Sequence, residues 1–149
     1  MNNIVWKIKS FNELTTLELY KIIQARISVF VIEQDCTYAD CDDKDQLALH
    51  IWAEKDDDIL AYCRVFDKGI KYEETSIGRV LSTEKGRGTG LGRQLVDYAV
   101  QTIENRFHSS AIRISAQDYL IKFYSGFGFI PTDKKYLEDT LPHTEMYRP

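Results

Sequence analysis

No run of about 18 apolar residues occurs in this 149-residue chain, so no helix of it is expected to span a bilayer. The opening "MNNIVWKIKSF" also lacks a long apolar stretch and does not read as a secretory signal. Positive charge is not in excess: 19 Lys and Arg stand against 23 Asp and Glu, a formal net charge of −4. A basic nucleic-acid-binding face is therefore not expected. Only three cysteines are present, Cys36, Cys41 and Cys63, with no CxxC spacing. An odd count of scattered thiols suits a reducing cytoplasm. No His or Cys cluster completes a metal site of the usual spacing, and none is expected. Repeats, low-complexity tracts and Pro/Gly/Ser linkers are also missing, so residues 1–149 are expected to form one domain. With 44% hydrophobic and 28% charged residues, the composition is that of an ordinary folded chain, long enough to bury a core.

Periodicity divides the chain into alternating elements. "IVWKIKSF" alternates as a strand. In "TTLELYKIIQARISVFVIEQ", Thr15 and Glu18 have capping-box spacing, and Leu19, Tyr20, Ile23, Ile27, Phe30 and Val31 recur at helical intervals. "DCTYADCDDKDQ" has no period and reads as a loop. "LALHIWAEK" and "ILAYCRVFD" read as strands around "DDD", and "TSIGRVLST" as another. Leu91, Leu95, Ala99 and Ile103 form a helical stripe. "AIRISAQ" is a strand, "YLIKFYSG" a short helix stopped by Gly126, and "HTEMYRP" a last strand. The predicted order, β-α-β-β-β-α-β-α-β, is an α/β or α+β domain with a mixed sheet.

Four of the eight glycines, Gly86, Gly88, Gly90 and Gly92, alternate just before the second long helix. Two nucleotide motifs fail there. GxGxxG places Leu91 or Arg93 at its sixth position, and a P-loop would need a glycine where Leu91 stands, followed by Lys-Ser or Lys-Thr. What remains, Arg87-Gly88-Thr89-Gly90-Leu91-Gly92-Arg93, can turn several backbone amides into one concavity at a helix start. Two arginines add cations, and such a segment suits a pyrophosphate.

R-x-x-G-x-G after a strand and opening a helix resembles the acetyl-CoA signature of the GNAT superfamily of N-acetyltransferases. "AQDYLIKFYSGFGFIP" resembles its second landmark, a helix ending in Phe-Tyr before a Gly-Phe strand. More narrowly, "ARISVFVIEQDCTYADCDDKD", "IGRV", "FYSGFGFIP" and "PHTEM" look like the ElaA-type branch. The resemblance covers essentially the whole chain. It implies a mostly antiparallel sheet flanked by helices and splayed at the acetyl-CoA site.

The resemblance also implies roles. Leu81 and Ser82 would present main-chain amides to the thioester carbonyl, where the family often carries a branched apolar residue in place of Ser82. Arg87, Gly88, Thr89, Gly90, Leu91, Gly92 and Arg93 would wrap the pyrophosphate. Gln117 stands where the family commonly has a pantetheine-binding Asn. Tyr124 takes the general-acid position: a phenol of pKa ~10 can protonate the departing CoA thiolate without ionising at neutral pH. From spacing alone Tyr124 reads first as a core residue, since Leu120, Phe123 and Phe127 share its stripe, and the resemblance reverses that. Glu33 is the first candidate base. His50, His143 and a water route are the alternatives, with both histidines read first as structural. Cys36 and Cys63 lack a neighbouring activating His and are weak nucleophile candidates.

Five aspartates lie between Asp35 and Asp45. They miss the EF-hand pattern, having no Gly at the sixth position from Asp40 and Ile51 at the twelfth. A solvated loop and a negative rim attracting a cationic amine are the two readings. The expected function is acetyl transfer from acetyl-CoA to a primary amine on a small molecule or peptide, by direct attack in a ternary complex. A non-catalytic acyl-CoA sensor or scaffold is the rival. A monomer or homodimer without nucleic acid or membrane partners is expected.

Overall fold

The computed structural model describes residues 3–149. Its elements are β1 (Val5–Ser10), α1 (Thr16–Arg26), β2 (Leu49–Lys55), β3 (Asp58–Phe66), β4 (Thr75–Ser82), α2 (Leu91–Arg106), β5 (Ile112–Gln117), α3 (Ile121–Ser125), β6 (Ile130–Glu138) and β7 (Leu141–Arg148). The seven strands form one sheet in the order β1-β2-β3-β4-β5-β7-β6. All neighbours are antiparallel except β4 and β5, which are parallel. This is the mixed, mostly antiparallel sheet expected from the sequence.

The capping box forms as its spacing predicts. Glu18 N–H donates to Thr15 Oγ1 at 3.1 Å, and Thr15 N–H donates to the Glu18 carboxylate at 2.9 Å. The buried stripe of α1 differs from the predicted one. Ile22, Ala25 and Val29 pack inward, while Tyr20 is 65% exposed and Ile27 40% exposed. Polar residues share the inner face, because Glu18 meets Lys7 and Lys9 and Arg26 meets two aspartates. Ion pairing therefore overrides hydrophobic period in setting the rotation of α1. Beyond Arg26 the helix continues as a π-helical segment, Ile27–Glu33.

The α2 stripe of Leu91, Leu95, Ala99 and Ile103 is buried as predicted, against Ile51, Ala61, Cys63, Ile112 and Ile114. On the opposite face Ile22, Ala25 and Val29 pack on Trp52, Tyr62 and Leu81. At ~25 cal/mol per Å2 of apolar surface, each fully buried Leu or Ile contributes roughly 1.5–3 kcal/mol.

One strand was not marked by periodicity and was implied only by the Gly-Phe landmark of the family resemblance. β6, "IPTDKKYLE", lies at the sheet edge and is mostly exposed, with Pro131, Lys134 and Lys135 among its solvent-facing residues. Edge strands carry charge and proline against unwanted pairing, which erases the alternation that marks a strand. Gly126, predicted to stop α3, keeps a right-handed conformation at φ −65°. The left-handed turn comes at Gly128, φ +93°.

Candidate active site

β4 and β5 pair at only two positions, Thr75 with Ile112 and Ser76 with Arg113. Beyond Ser76 they diverge. The cause is local: between Gly78, opposite Arg64, and Leu81, opposite Tyr62, β4 holds two residues where β3 holds one. This bulge bends β4 and increases its twist. Arg79, one of the two extra residues, has φ +53°, a conformation non-glycine residues rarely adopt. It is held there by its side chain, whose Nε donates to Asp40 Oδ1 at 2.9 Å while Nη2 donates to the Asp40 carbonyl at 3.0 Å. The guanidinium also lies over Tyr38, 5.5 Å from the ring centre.

Both sequence readings of the acidic segment therefore need correction. Asp40 and Asp45 are neither solvated nor a rim: they are 5% and 7% exposed. Asp40 takes Arg26 and Arg79, and Asp45 takes Arg26 and Arg64, each closest contact at 2.7–2.9 Å. Asp42 accepts from both Arg64 terminal nitrogens, at 2.9 and 2.6 Å. The Arg64 guanidinium, ahead of a burial effect in the other direction, holds the Asp42 carboxyl well below the usual carboxylate range. Asp43 alone of the middle group is exposed. The segment is a strap that ties α1, β3 and the β4 bulge together.

The glycine run lies between the end of β4 and the start of α2. Gly88 and Gly90 have φ +76° and +79°, and a Cβ at either would meet nothing within 4 Å. No amide from Arg87 to Arg93 donates to a carbonyl or side chain of the described residues, and Gln94, one turn into α2, is the first with a partner, Gly90 O at 3.3 Å. Unpaired amides at a helix start, beside two left-handed glycines, fit an anion. Gly86 serves packing instead. A Cβ there would lie 2.1 Å from the Leu60 carbonyl, so the glycine allows close approach to β3. Arg93 covers the Phe127 ring at 5.7 Å.

Thr83 N–H donates to Leu60 O at 3.0 Å. By the alternation of an antiparallel ladder, the Leu81 amide then turns into β3 and the Ser82 amide away from it, toward the opening. Of the two expected carbonyl-polarising amides, Ser82's alone faces the opening. Its carbonyl accepts from Arg87 Nη2 at 2.9 Å, and the same nitrogen donates to the Glu33 carboxylate.

A cleft of about 140 Å3 fills the wedge between β4 and β5. Gln117 and Tyr124 both line it. Gln117 Nε2 reaches Gln34 Oε1 at 3.4 Å. Tyr124 is 6% exposed, and its hydroxyl has no hydrogen-bond partner among the described residues. Burial pushes its phenol above the ordinary tyrosine value, and neighbouring Cys63 and Tyr119 add to this. Tyr124 is also packed edge-on to Phe123 and Phe129, so it belongs to the core and the cleft at once. Glu33 does not line the cleft; it stands beside Arg87.

The two histidines separate. His50 is fully buried between Tyr62 Oη, at 2.7 Å, and the Asp45 carbonyl, at 2.9 Å. Its structural reading stands, and burial holds its pKa down. His143 does line the cleft, bonded to Leu141 O at 2.8 Å and stacked on Tyr136. All three cysteines are free, and Cys63 is fully buried with its thiol pushed up by desolvation, which removes it as a nucleophile. No cluster of three or more metal-ligating side chains occurs among the described residues. Sequence reasoning missed Arg64, Lys71, Ser76 and Arg79 as cleft residues. The available signal was "IGRV", an arginine set in an otherwise apolar strand.

A bulged strand opening a mixed sheet beside an amide-lined loop is the fold of the acyl-CoA N-acyltransferases. Such an enzyme from Pseudomonas aeruginosa matches with a TM-score of 0.93 and 38% identity, over 98% of this chain and 99% of that one. The chain belongs to the GNAT acetyltransferase family, whose acetyltransferase (GNAT) domain model matches residues 19–148. Within that family it is ElaA-like. Protein ElaA of Escherichia coli (strain K12) is 37% identical over 147 residues, 97% of this chain and 96% of that protein. The crystal structure of Escherichia coli ElaA matches with a TM-score of 0.91 at 36% identity, over 98% of this chain and 99% of that one. No helix among the described residues is long and apolar enough to cross a membrane.

Proposed function

We propose that this chain is a cytoplasmic N-acetyltransferase that moves an acetyl group from acetyl-CoA to a primary amine by direct attack in a ternary complex. The observation that carries the reading is the run of unpaired amides from Arg87 to Arg93 between the end of β4 and α2, joined to the strand whose divergence from β5 opens the cleft that Tyr124 lines. Bound acetyl-CoA supplies the activated acetyl group. Gly88, Thr89, Gly90, Leu91 and Gly92 hold its pyrophosphate by backbone N–H groups, with Arg87 and Arg93 beside them. The Gln117 amide holds the pantetheine arm. Ser82 N–H donates to the thioester carbonyl, adjacent to Leu81, whose own amide serves the sheet.

Glu33 takes the proton that the amine must lose. A bond forms between the amine nitrogen and the acetyl carbon, and the carbon–sulfur bond breaks. The sulfur leaves with the electron pair, and Tyr124 donates its proton to it. A phenol is protonated at neutral pH, and burial pushes the Tyr124 pKa further up, so its proton is in place for the leaving thiolate.

Two measurements test the reading together. Acetyl-CoA at about 100 times its dissociation constant should stabilise the fold by ~2.7 kcal/mol, and pantetheine, which lacks the pyrophosphate, by much less. Thiol release should then depend on an added primary amine. Stabilisation without amine-dependent thiol release would favour the acyl-CoA sensor, and no response to millimolar acetyl-CoA would remove both readings.

A further inference from the structure

The inner end of the cleft, near the Ser76–Arg113 pair where β4 and β5 part, is rich in donors without partners. Ser76 Oγ and Arg64 Nε are buried with no hydrogen bond, in residues 2% and 1% exposed that both line the cleft. Buried polar atoms are rarely left so. Arg64 spends its two terminal nitrogens on Asp42 and Asp45, and Arg79 spends Nε and Nη2 on Asp40. Lys71 lines the same region, and its ammonium has no salt-bridge partner among the described residues. The acceptors nearby are already occupied. Asp40, Asp42 and Asp45 serve the arginines, and Glu138 accepts from Ser115 at 3.1 Å and lies 3.4 Å from His143. A ligand group seated here must accept hydrogen bonds.

We propose that this end of the cleft is a carboxylate subsite, and that the acceptor carries a carboxylate as well as its amine. The proposal rests on the acetyltransferase reading and names its substrate class: an amino-carboxylic acid of about dipeptide length. The length follows from β4. The reacting end lies at the Ser82 amide; Ser76 pairs with Phe66 and Ser82 with Ala61, so the two are five β3 residues apart, ~16 Å at ~3.3 Å per residue. A ~3 Å hydrogen bond at each end and a ~3 Å attack distance leave about 7 Å between amine and carboxylate. Two extended residues span that distance, as does an ω-amino acid of five methylenes. Burial and the guanidinium groups of Arg64 and Arg79 hold the Lys71 ammonium below the usual lysine range, as expected where positive charge awaits an anion. A polyamine would bring cations to these donors and leave them unpaired.

The test uses three matched probes with the full chain in the presence of coenzyme A: 6-aminohexanoate, hexylamine and hexanoate. Calorimetry should show 6-aminohexanoate and hexanoate binding and hexylamine binding at least tenfold more weakly. Ser76→Ala removes a hydroxyl that has no partner in the fold, and Lys71→Gln removes an ammonium with no salt-bridge partner among the described residues, so both variants should fold. Each should raise the dissociation constant for 6-aminohexanoate about tenfold, the usual effect of losing a hydrogen bond to a charged group, and leave hexylamine unchanged. Hexylamine binding as well as 6-aminohexanoate, or carboxylate binding that survives both substitutions, would overturn the subsite and leave the acetyltransferase reading untouched. Carboxylate binding that both variants abolish, in a protein that shows no thiol release, would support the subsite while overturning the proposed reaction.

Discussion

Glu33 and Arg87, 54 residues apart in sequence, form an ion pair beside the glycine loop, and Arg87 simultaneously grips the Ser82 carbonyl at the end of β4. A candidate base and a candidate pyrophosphate ligand are thus each other's partners in the free protein. Pyrophosphate drawing Arg87 toward itself would free the Glu33 carboxylate. Glu33→Gln keeps the shape and removes the charge. The expected outcome is acetyl-CoA affinity equal to or a few-fold tighter than the parent, with turnover at neutral pH lowered by about 10²-fold or more. Calorimetry and steady-state kinetics on the same preparations separate the two effects. Undiminished turnover would leave proton removal to water.

Gly86 and Gly90 lie four residues apart and should respond oppositely. Gly86→Ala forces a Cβ against the Leu60 carbonyl and should cost about 1–3 kcal/mol or more in folding. Gly90→Ala meets open space but must hold φ +79°, at ~1 kcal/mol. That is roughly 2–4 °C in Tm for a chain of this size. Its main effect should be a rise of at least tenfold in the acetyl-CoA dissociation constant. Thermal melts and calorimetry on the pair check this, and a Gly90→Ala protein that binds normally would remove the pyrophosphate from this loop.

Tyr124→Phe deletes a hydroxyl that holds nothing in the fold, so stability and acetyl-CoA affinity should be nearly unchanged. Turnover should fall by roughly 10²–10⁴-fold. Because burial raises the phenol, the acid form persists as pH rises. An alkaline fall in kcat that came from Tyr124 should therefore lie above pH ~10, its unperturbed value. A pH profile of the parent and the variant is the measurement.

Asp40→Ala should unfold the protein before it changes acceptor kinetics. It strips partners from Arg26, which is 0% exposed, and from the strained Arg79. Breaking such a buried pair from one side costs about 3–5 kcal/mol. Asp43→Asn, in the exposed part of the same segment, should stay within ~0.5 kcal/mol. Urea unfolding of both variants is the check, and equal midpoints would return the segment to the role of a solvated loop.

Glu18 gives the fold an acid limit. Burial opposes its ionisation, but the Thr15 amide and the ammonium groups of Lys7 and Lys9 overcome this and hold it at about 2, against 4.5 for a free glutamate. A lowered carboxyl contributes stability that is present above the unfolded value and lost as pH falls through the folded one. Stability should decline between pH 4.5 and 2. Glu18→Gln should start lower and show a shallower decline in urea midpoints over that window.

Much of this fold is legible in the chain itself. The α2 stripe, the capping box at Thr15 and Glu18, and every strand but β6 follow from period and local chemistry alone. So does the glycine loop, because alternate glycines ahead of a helix have few other uses. β6 was hidden because an edge strand has little to bury, and the α1 rotation because Arg26 and Glu18 occupy inner positions that period assigns to apolar residues.

The sequence by itself determined the family and every element but β6, since these depend on side chains within a few residues of one another. Tertiary structure alone decided the rest: that the aspartates of the acidic segment meet Arg26, Arg64 and Arg79, that Glu33 meets Arg87, and that Ser76 and Arg64 keep unpaired donors in one cleft. Those ion-pair partners lie 14 to 54 residues apart. Whether an aspartate is solvated or buried depends on what the chain folds against it, and charge within a segment carries no record of that.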